Sequence, residues 1–200
     1  MTTTEERPAA TFSAARRAMI DSQLRTSGVN EPWVLSAMAS VAREDYVPEA
    51  MKSAAYIDRA IPLGDGRSLA APLVHGKMLE EARPVDADNA LLVGDADGYF
   101  AALLRPLVGS LDVLSPAQAG GSDKQGPYSL VVIDGAIETL PDSLAARLAD
   151  GGRLVCGLVE RGVTRLATGR RASGAVALLP VADIGIPVLP EFAAARRWSF

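Results

Sequence analysis

The chain has 200 residues, of which 48% are hydrophobic and 22% are charged, and its formal net charge is -4. This length and composition predict a globular protein that can bury a core. The acidic balance, without a long Lys/Arg cluster, argues against nucleic-acid binding through phosphates. No stretch approaches the roughly 18 apolar residues of a membrane-spanning helix, and the N-terminus lacks a signal-peptide pattern. We therefore expect a cytoplasmic protein without a membrane partner.

The single cysteine and the single histidine limit the possible metal chemistry. Cys156 lies in an apolar run, which predicts a buried, inert thiol in a reducing compartment. A His/Cys metal cluster needs more ligands than these two residues supply. We therefore predict no metal site.

The first part of the chain is predicted to be helical. Residues 1–10 are polar and contain Pro8, which predicts a flexible N-terminus. Three helical segments follow, at residues 12–24 (closed by Ser27-Gly28), at residues 30–41 (with Asn30 as N-cap) and at residues 73–82. Residues 62–66 read as a turn, and no regular strand is predicted before residue 89.

From residue 89 onward, strands alternate with helices. Strands are predicted at residues 90–93, 110–114, 129–134 and 152–158, and helices at residues 99–107 and 142–149. The uninterrupted apolar run at residues 130–133 is typical of a parallel strand covered on both faces. Strand-like segments at residues 163–168, 175–179 and 197–200, with turn signals at Gly169 and Ser173-Gly174, predict an antiparallel edge.

These elements predict an α/β fold with a Rossmann-like, doubly wound, mostly parallel sheet. The N-terminal helices occupy residues 11–88 and the sheet occupies residues 89–200. Both parts are expected to form a single domain over residues 11–200.

The strand, turn and helix at residues 89–99 form the strongest candidate for a ligand site. Gly94 and Gly98 flank Asp95, Ala96 and Asp97 in this turn. Such a turn can direct unpaired backbone N–H groups and a helix N-terminus at a cofactor. Two glycines alone are equally compatible with a buried strand and a tight turn.

A long segment resembles one enzyme family. Residues 19–48 resemble the N-terminal block of the protein-L-isoaspartate O-methyltransferase family, which shows M-V-x-x-Q-L, then G-[IV]-x-[DN]-x-x-V-L-x-A-M, then V-P-R-[EH]-x-F-V-P. The resemblance continues through residues 62–68, 89–99, 127–135 and 151–155 and so covers nearly the whole chain. It implies a fold that binds S-adenosylmethionine and methylates L-isoaspartyl and D-aspartyl carboxylates in damaged proteins.

The cofactor turn departs from the family pattern E-x-G-x-G-x-G-Y. Leu92 stands at the position of the leading acid, and Ala96 stands at that of the middle glycine. The remaining candidate cofactor residues are Gly94, Asp95, Gly98 and Ser115, and Ser115 occupies the position of the family's ribose-binding acid. Asp95 and Asp97 could orient the cationic sulfonium or cap the following helix, and we favour capping.

In the family, a helix and a further strand follow the strand that corresponds to residues 110–114. This chain has too few residues at that point to form both. Only residues 116–126 are available, which is too short for a crossover helix and a parallel strand. We therefore predict that one β/α unit is deleted and that residues 110–114 form a sheet edge. The acidic residue Asp112 lies three positions before Ser115.

The substrate side of the family pattern is also altered. Ala70 occupies the position of the family's serine in [IT]-S-x-P. Ser68, His75 and Asp134 are the candidate catalytic residues. Each also has a structural interpretation, as a turn hydroxyl for Ser68, as a solvated or capping residue for His75 and as turn formation with Gly135 for Asp134.

Two classes of function follow from these departures. The chain is either a protein carboxyl methyltransferase with a reduced site, acting on isoaspartyl proteins or peptides, or a non-catalytic relative that serves as a binding or regulatory module. Because several cofactor and substrate residues are missing together, we favour weakened or lost activity and doubtful binding of S-adenosylmethionine. The oligomeric state cannot be read from the sequence.

Overall fold

The computed structural model describes residues 6–121 and 126–194. The chain divides into two compact units, Met1–Glu80 and Glu81–Phe200. The predicted single domain with a boundary near residue 88 stays a prediction, as does the flexibility of residues 1–10, of which residues 1–5 lie outside the described part.

The first unit contains the predicted helices, apart from the last two residues of the third. Their bounds are Glu6–Met19 (α1), Pro32–Ser40 (α2) and Pro72–Ala82 (α3). A π-helical turn, Ile20–Leu24, continues α1, and the segment ends at Gly28 in a left-handed conformation with φ 81°. The predicted N-cap of α2 was wrong, because Glu31 occupies that position. The backbone N–H of Asn30 instead donates to Glu80 Oε1 at 3.0 Å.

The predicted turn at residues 62–66 belongs to a β-hairpin, which sequence analysis missed. Strands Ile61–Gly64 (β1) and Arg67–Leu69 (β2) pair antiparallel around the two-residue loop Asp65-Gly66. Both loop residues have positive φ, as the twist of a tight hairpin requires. The strands were not predicted because segments of three or four residues are too short to show an alternating pattern.

The second unit is built on a six-stranded sheet with the order β4-β3-β5-β6-β7-β8. The strand bounds are Asn89–Val93 (β3), Ser110–Leu114 (β4), Tyr128–Ile137 (β5), Leu148–Glu160 (β6), Val163–Ala172 (β7) and Ala175–Asp183 (β8). Strands β4, β3, β5 and β6 pair in parallel, whereas β7 and β8 add antiparallel. The predicted α/β fold, with its mostly parallel sheet and antiparallel C-terminal edge, is confirmed.

The burial of the central strands fits a parallel sheet that is covered on both faces. The run from Leu130 to Ile133 in β5 is fully buried, as expected for a strand covered on both faces. Within the described residues β4 is the edge strand, as predicted from the short segment that follows it. Whether a β/α unit was deleted there stays a prediction.

Several element bounds differ from the predicted ones. The helix Tyr99–Leu104 (α4) tightens into a 3-10 turn at Arg105–Leu107, and Asp142–Arg147 (α5) ends two residues early because Leu148 already begins β6. Gly169 lies inside β7 rather than in a turn, where a Cβ would approach Ala177 O to 2.9 Å. The predicted strand at residues 197–200 lies outside the described residues.

Two further predictions from the sequence concern the single cysteine and membrane-spanning helices. Cys156 is buried and forms no disulfide, and burial raises the pKa of its thiol to about 12. Among the described residues, no helix combines the length and the apolar character needed to cross a membrane.

Candidate functional site

The carboxyl ends of β3 and β4 lie beside Ile133 of β5 at one edge of the sheet. Val93 at the end of β3 pairs with Leu114 of β4 and with Ile133 of β5. The residues that follow, which include Gly94 and Asp134, therefore lie at the same edge. A Cβ on Gly94 would lie 3.3 Å from the Asp134 Cβ. The structure thus brings Gly94 and Asp134 together at the place where ligands bind in folds of this type.

The glycine turn after β3 uses several of its N–H groups internally. Gly94 N–H donates to Leu114 O at 2.8 Å, and Gly98 N–H donates to Asp95 O at 3.1 Å. Asp97 N–H donates to Asp95 Oδ1 at 3.1 Å. The expectation that this turn offers unpaired N–H groups is wrong for these three residues, because Asp95 and the end of β4 accept their hydrogen bonds.

The helix that follows the turn is short, and its cap differs from the favoured interpretation. The N-cap residue of α4 is Gly98, not an aspartate. A Cβ on Gly98 would lie 2.9 Å from the Asp95 Cβ, so the tight turn requires glycine here. Asp95, Ala96 and Asp97 are exposed, and Ala96 O accepts a hydrogen bond from Arg105 at 3.4 Å.

Leu92 occupies the position of the family's leading acid. Its side chain is fully buried in β3, where it pairs with Val113 and Val132 on the neighbouring strands. An apolar side chain in this position contributes to the core. It offers no acceptor to a polar ligand.

The ribose position at the end of β4 is engaged within the protein. Ser115 caps the 3-10 turn Pro116–Gln118 through a reciprocal capping box, in which Ser115 N–H donates to Gln118 Oε1 at 3.1 Å. Asp112, the acidic residue nearest to Ser115 along β4, accepts a hydrogen bond from the Tyr128 hydroxyl at 2.8 Å. Burial, together with this bond, raises the pKa of Tyr128 to about 12. Both residues therefore have structural partners.

Asp134 does not end its strand, as the sequence analysis expected. β5 continues to Ile137, and its register on β6 shifts between Val132 and Ala136. Gly135 lies in this irregular stretch and not in a terminating turn. Asp134 is half-buried there, and its role in catalysis stays a prediction.

The remaining candidate catalytic residues belong to the first unit. Ser68 is exposed on β2, whereas Ala70, at the position of the family's serine, is buried. His75 on α3 is fully buried, so its interpretation as a solvated residue was wrong. Its Nδ1 lies 3.3 Å from Arg43 Nη1.

Arg43 is a central residue of the first unit that sequence analysis did not select. It is fully buried, donates from Nε to Ala55 O at 2.8 Å and donates from Nη2 to Ala70 O. It thereby fixes the backbone at the family's serine position. The sequence carries no local signal for this role, because the bonded carbonyl groups lie 12 and 27 residues away.

A second polar cluster in the first unit surrounds Tyr56. Its hydroxyl donates to Glu44 Oε2 and accepts from Arg16 Nε at 2.7 Å. Arg16 and Glu44 also form an ion pair at 3.1 Å. Burial and the bond to Glu44 raise the pKa of Tyr56 to about 12. This cluster holds α1 to the segment that follows α2.

The opposite, amino edge of the parallel strands contains an ion pair whose carboxylate is buried. Asp88, 3% exposed, lies just before β3 and is 2.6 Å from Arg153 Nη2. Its other oxygen accepts from Ser129 Oγ at 2.6 Å, and Val85 N–H donates to Oδ2 at 2.9 Å. Burial alone would raise the pKa of Asp88, but these hydrogen bonds and Arg153 lower it below the usual 3.8.

Comparison with known proteins identifies the family. The model of the protein-L-isoaspartate(D-aspartate) O-methyltransferase family matches residues 14–116. The chain belongs to this family. It is 31% identical to the protein-L-isoaspartate O-methyltransferase of Koribacter versatilis over 169 residues, which cover 72% of this chain and 76% of the relative. It is 32% identical to protein-L-isoaspartate O-methyltransferase 1 of Rhodopseudomonas palustris, covering 74% of this chain and 70% of the relative.

Solved structures show the same fold. A Plasmodium falciparum protein described as a protein-L-isoaspartate O-methyltransferase, crystallised in complex with S-adenosyl-L-homocysteine, superposes with a TM-score of 0.71 at 17% identity. The alignment covers 90% of this chain and 98% of that chain. A second protein-L-isoaspartate O-methyltransferase gives a TM-score of 0.72 at 14% identity, covering 87% of this chain and 65% of that chain. The family's fold is therefore retained.

Proposed function

We propose that this chain is a protein-L-isoaspartate O-methyltransferase relative in which methyl transfer is weakened or lost. The family reaction moves a methyl group from S-adenosylmethionine to the carboxylate of a damaged aspartyl residue. Here the retained fold would serve as a binding or regulatory module.

The carboxyl edge of the sheet provides the main support. Leu92 is apolar and buried where an acid is expected, and Ser115 is engaged in a capping box. In the glycine turn after β3, the N–H groups of Gly94 and Gly98 already donate to backbone carbonyl groups of the protein. The ribose hydroxyls and the α-amino group of a ligand need hydrogen-bond acceptors on the protein. An acceptor that is already bonded within the protein must first give up that bond. The residues present do not fit S-adenosylmethionine, and we derive no step through it.

The substrate side supports the same proposal. Ala70 offers no hydroxyl, and the loss of such a donor would cost on the order of 1 to 3 kcal/mol in substrate binding. His75 is buried against Arg43, which leaves the exposed hydroxyl of Ser68 as the nearest substitute along the chain.

Calorimetric titration of the whole chain with S-adenosylmethionine and with S-adenosylhomocysteine tests the cofactor step. We expect no binding at micromolar concentration, with a catalytically active family member as the positive control. A micromolar dissociation constant, equivalent to about -8 kcal/mol, would overturn the proposal.

An active enzyme with a reduced site is the second candidate. The neighbouring positions of Gly94 and Asp134 favour it, because methyl transfer depends mainly on positioning and needs little acid-base help. Methylation of an isoaspartyl peptide tests this candidate. If turnover is observed and Ser68 supplies the hydroxyl that Ala70 lacks, Ser68→Ala should lower the rate more than tenfold. An unchanged rate would exclude Ser68 and leave His75 and Asp134.

A further inference from the structure

Asp-Gly dipeptides are the places where an aspartyl residue rearranges most readily. The glycine nitrogen attacks the side-chain carboxyl carbon of the aspartate, a C–N bond forms, and water leaves to give a succinimide. Hydrolysis consumes one water, and cleavage at the α-carbonyl leaves an isoaspartyl linkage. The reaction is fastest where the backbone is free to move and glycine presents no side chain to block the attack. The chain contains such dipeptides at Asp65, Asp97, Asp134 and Asp150.

Two of these dipeptides are held in place by their surroundings. The amide nitrogen of Gly98, which would attack Asp97, already donates to Asp95 O at 3.1 Å. Asp134 is half-buried inside β5, and a Cβ on Gly135 would lie 2.5 Å from Leu189 Cγ. Rearrangement at either dipeptide requires disruption of these packed or hydrogen-bonded positions.

Asp150 is exposed but belongs to a strand of the large sheet. It lies in a register shift of β6, between Leu148 and Arg153, which both pair with β5. Gly151 has positive φ and no atom within 4 Å of a built Cβ, so the constraint on this site comes from the pairs that flank it. Leu148 is fully buried, and its carbonyl accepts a hydrogen bond from Arg171. The flanking strand pairs, and the hydrogen bond from Arg170 Nη1 to Gly151 O at 3.4 Å, hold this irregular stretch at both of its ends.

Asp65 lies in the least constrained of these positions. Asp65 and Gly66 are both exposed in the loop between β1 and β2, and no atom lies within 4 Å of a Cβ built on Gly66. The two strands form a sheet of their own, with four and three residues. A two-stranded hairpin of this length opens at low cost, and Pro62 removes one backbone donor from it.

The buried anchors of this hairpin lie away from the loop. Ile61 and Leu69 pair at the far end of the two strands, and both are buried. The loop can therefore open without exposing apolar surface. Neither Asp65 nor Gly66 needs to leave a packed position before the nitrogen attacks.

We propose that Asp65-Gly66 is a site of isoaspartate formation and that the aged chain is a substrate for an active protein-L-isoaspartate O-methyltransferase. Formation of the linkage is independent of whether this chain is a catalyst. Its recognition as a substrate rests on the family reaction in the proposed function. The linkage adds one methylene to a two-residue loop and leaves a new α-carboxylate on the exposed tip of the hairpin.

The test ages the full chain at neutral pH and physiological temperature and then cleaves it with trypsin. An active family member with radiolabelled S-adenosylmethionine is added to the fragments, because the isoaspartyl methyl ester would lose methanol during digestion. Tryptic cleavage releases the candidate site in residues 60–67 and the Asp150 site in residues 148–153. We expect most of the label and most of the isoaspartyl isomer in the fragment of residues 60–67. Asp65→Glu should remove that label, whereas the matched Asp150→Glu should leave it unchanged.

Label that resides mainly in residues 148–153, or that survives Asp65→Glu, would overturn the proposal. Quantification of the isoaspartyl isomer in the unmodified chain gives the same decision without any variant. A parallel sample of the fragments receives labelled S-adenosylmethionine and the uncleaved chain in place of the added enzyme. If it becomes labelled at Asp65, the proposal of lost activity fails while the site stands. If no isoaspartate forms at Asp65, the site fails whatever the cofactor titration gives.

Discussion

The two edges of the same parallel strands are built in opposite ways. At the amino edge, the buried carboxylate of Asp88 is bonded to the half-buried side chains of Arg153 and Ser129. At the carboxyl edge, Leu92 and the Ser115 cap replace the acids of the family pattern. One edge keeps a buried charge because Ser129, Val85 and Arg153 satisfy it, and the other lacks two of the acids that the family pattern places there.

This difference separates the requirements of the fold from those of the reaction. A buried charge that ties β3 to β5 and β6 cannot be removed without leaving a partner unpaired. Acids that hold a ligand are not needed for folding, so apolar or self-satisfied residues can replace them. The comparison predicts large stability effects at the amino edge and small ones at the carboxyl cap.

Arg153→Met should have the largest effect. It leaves the carboxylate of Asp88 buried beside an apolar side chain, which should lower the free energy of unfolding by about 3 to 5 kcal/mol. Urea denaturation measures the change. Arg170→Met is the matched control, because Arg170 is exposed on β7 directly opposite Arg153. We expect it to change stability by less than about 0.5 kcal/mol.

Equal destabilisation by the two variants would contradict the importance of the Asp88 pair. A double variant that combines Arg153→Met with Asp88→Asn sharpens the test. It removes the buried charge as well as its partner, so it should be more stable than Arg153→Met alone.

Restoration of the family residues at the carboxyl edge should also destabilise the chain. Leu92→Glu combined with Ala96→Gly places a carboxylate in a fully buried position of β3, at a cost of about 3 kcal/mol. We expect no calorimetric signal with S-adenosylhomocysteine, since Ser115 is still engaged. Leu92→Met is the control and should cost less than about 1.5 kcal/mol. Micromolar binding by the double variant would show that only these two residues disable the site.

The amino edge should also respond to pH. The pKa of Asp88 is lowered in the folded chain relative to its usual 3.8, so its ionised form stabilises the fold above that pH. This contribution should be lost as the pH falls through the lower, folded-state pKa. Urea unfolding at several pH values should show the stability difference between the native chain and Asp88→Asn shrinking below about pH 4. A difference that stays constant with pH would exclude ionised Asp88 as its source.

Ser115→Ala should have the smallest effect. It removes the side chain that caps the 3-10 turn after β4 and should lower the free energy of unfolding by about 1 kcal/mol. Ser143→Ala, an exposed substitution in α5, serves as the control. Thermal unfolding compares the two variants. Destabilisation as large as that of Arg153→Met would mean that the carboxyl cap is as important to the fold as the amino edge.

The sequence alone determined most of the elements and the family. The apolar run at residues 130–133 predicts a strand covered on both faces, and the spacing at residues 73–82 predicts α3, because both patterns are local. The short segment after residue 114 also predicted β4 at the edge of the sheet. The missing acid at Leu92 and the missing serine at Ala70 are visible in the sequence, since they are substitutions within a motif.

The tertiary structure decided which polar groups meet. Asp88 and Arg153 are separated by 65 residues, and no local pattern links them. The burial of His75 against Arg43 likewise depends on packing between segments 32 residues apart. The hairpin at Asp65-Gly66 was not predicted, because its strands are too short to show an alternation of apolar and polar residues. Periodicity records the environment of neighbouring residues, whereas hydrogen bonding between distant residues is set only when the chain has folded.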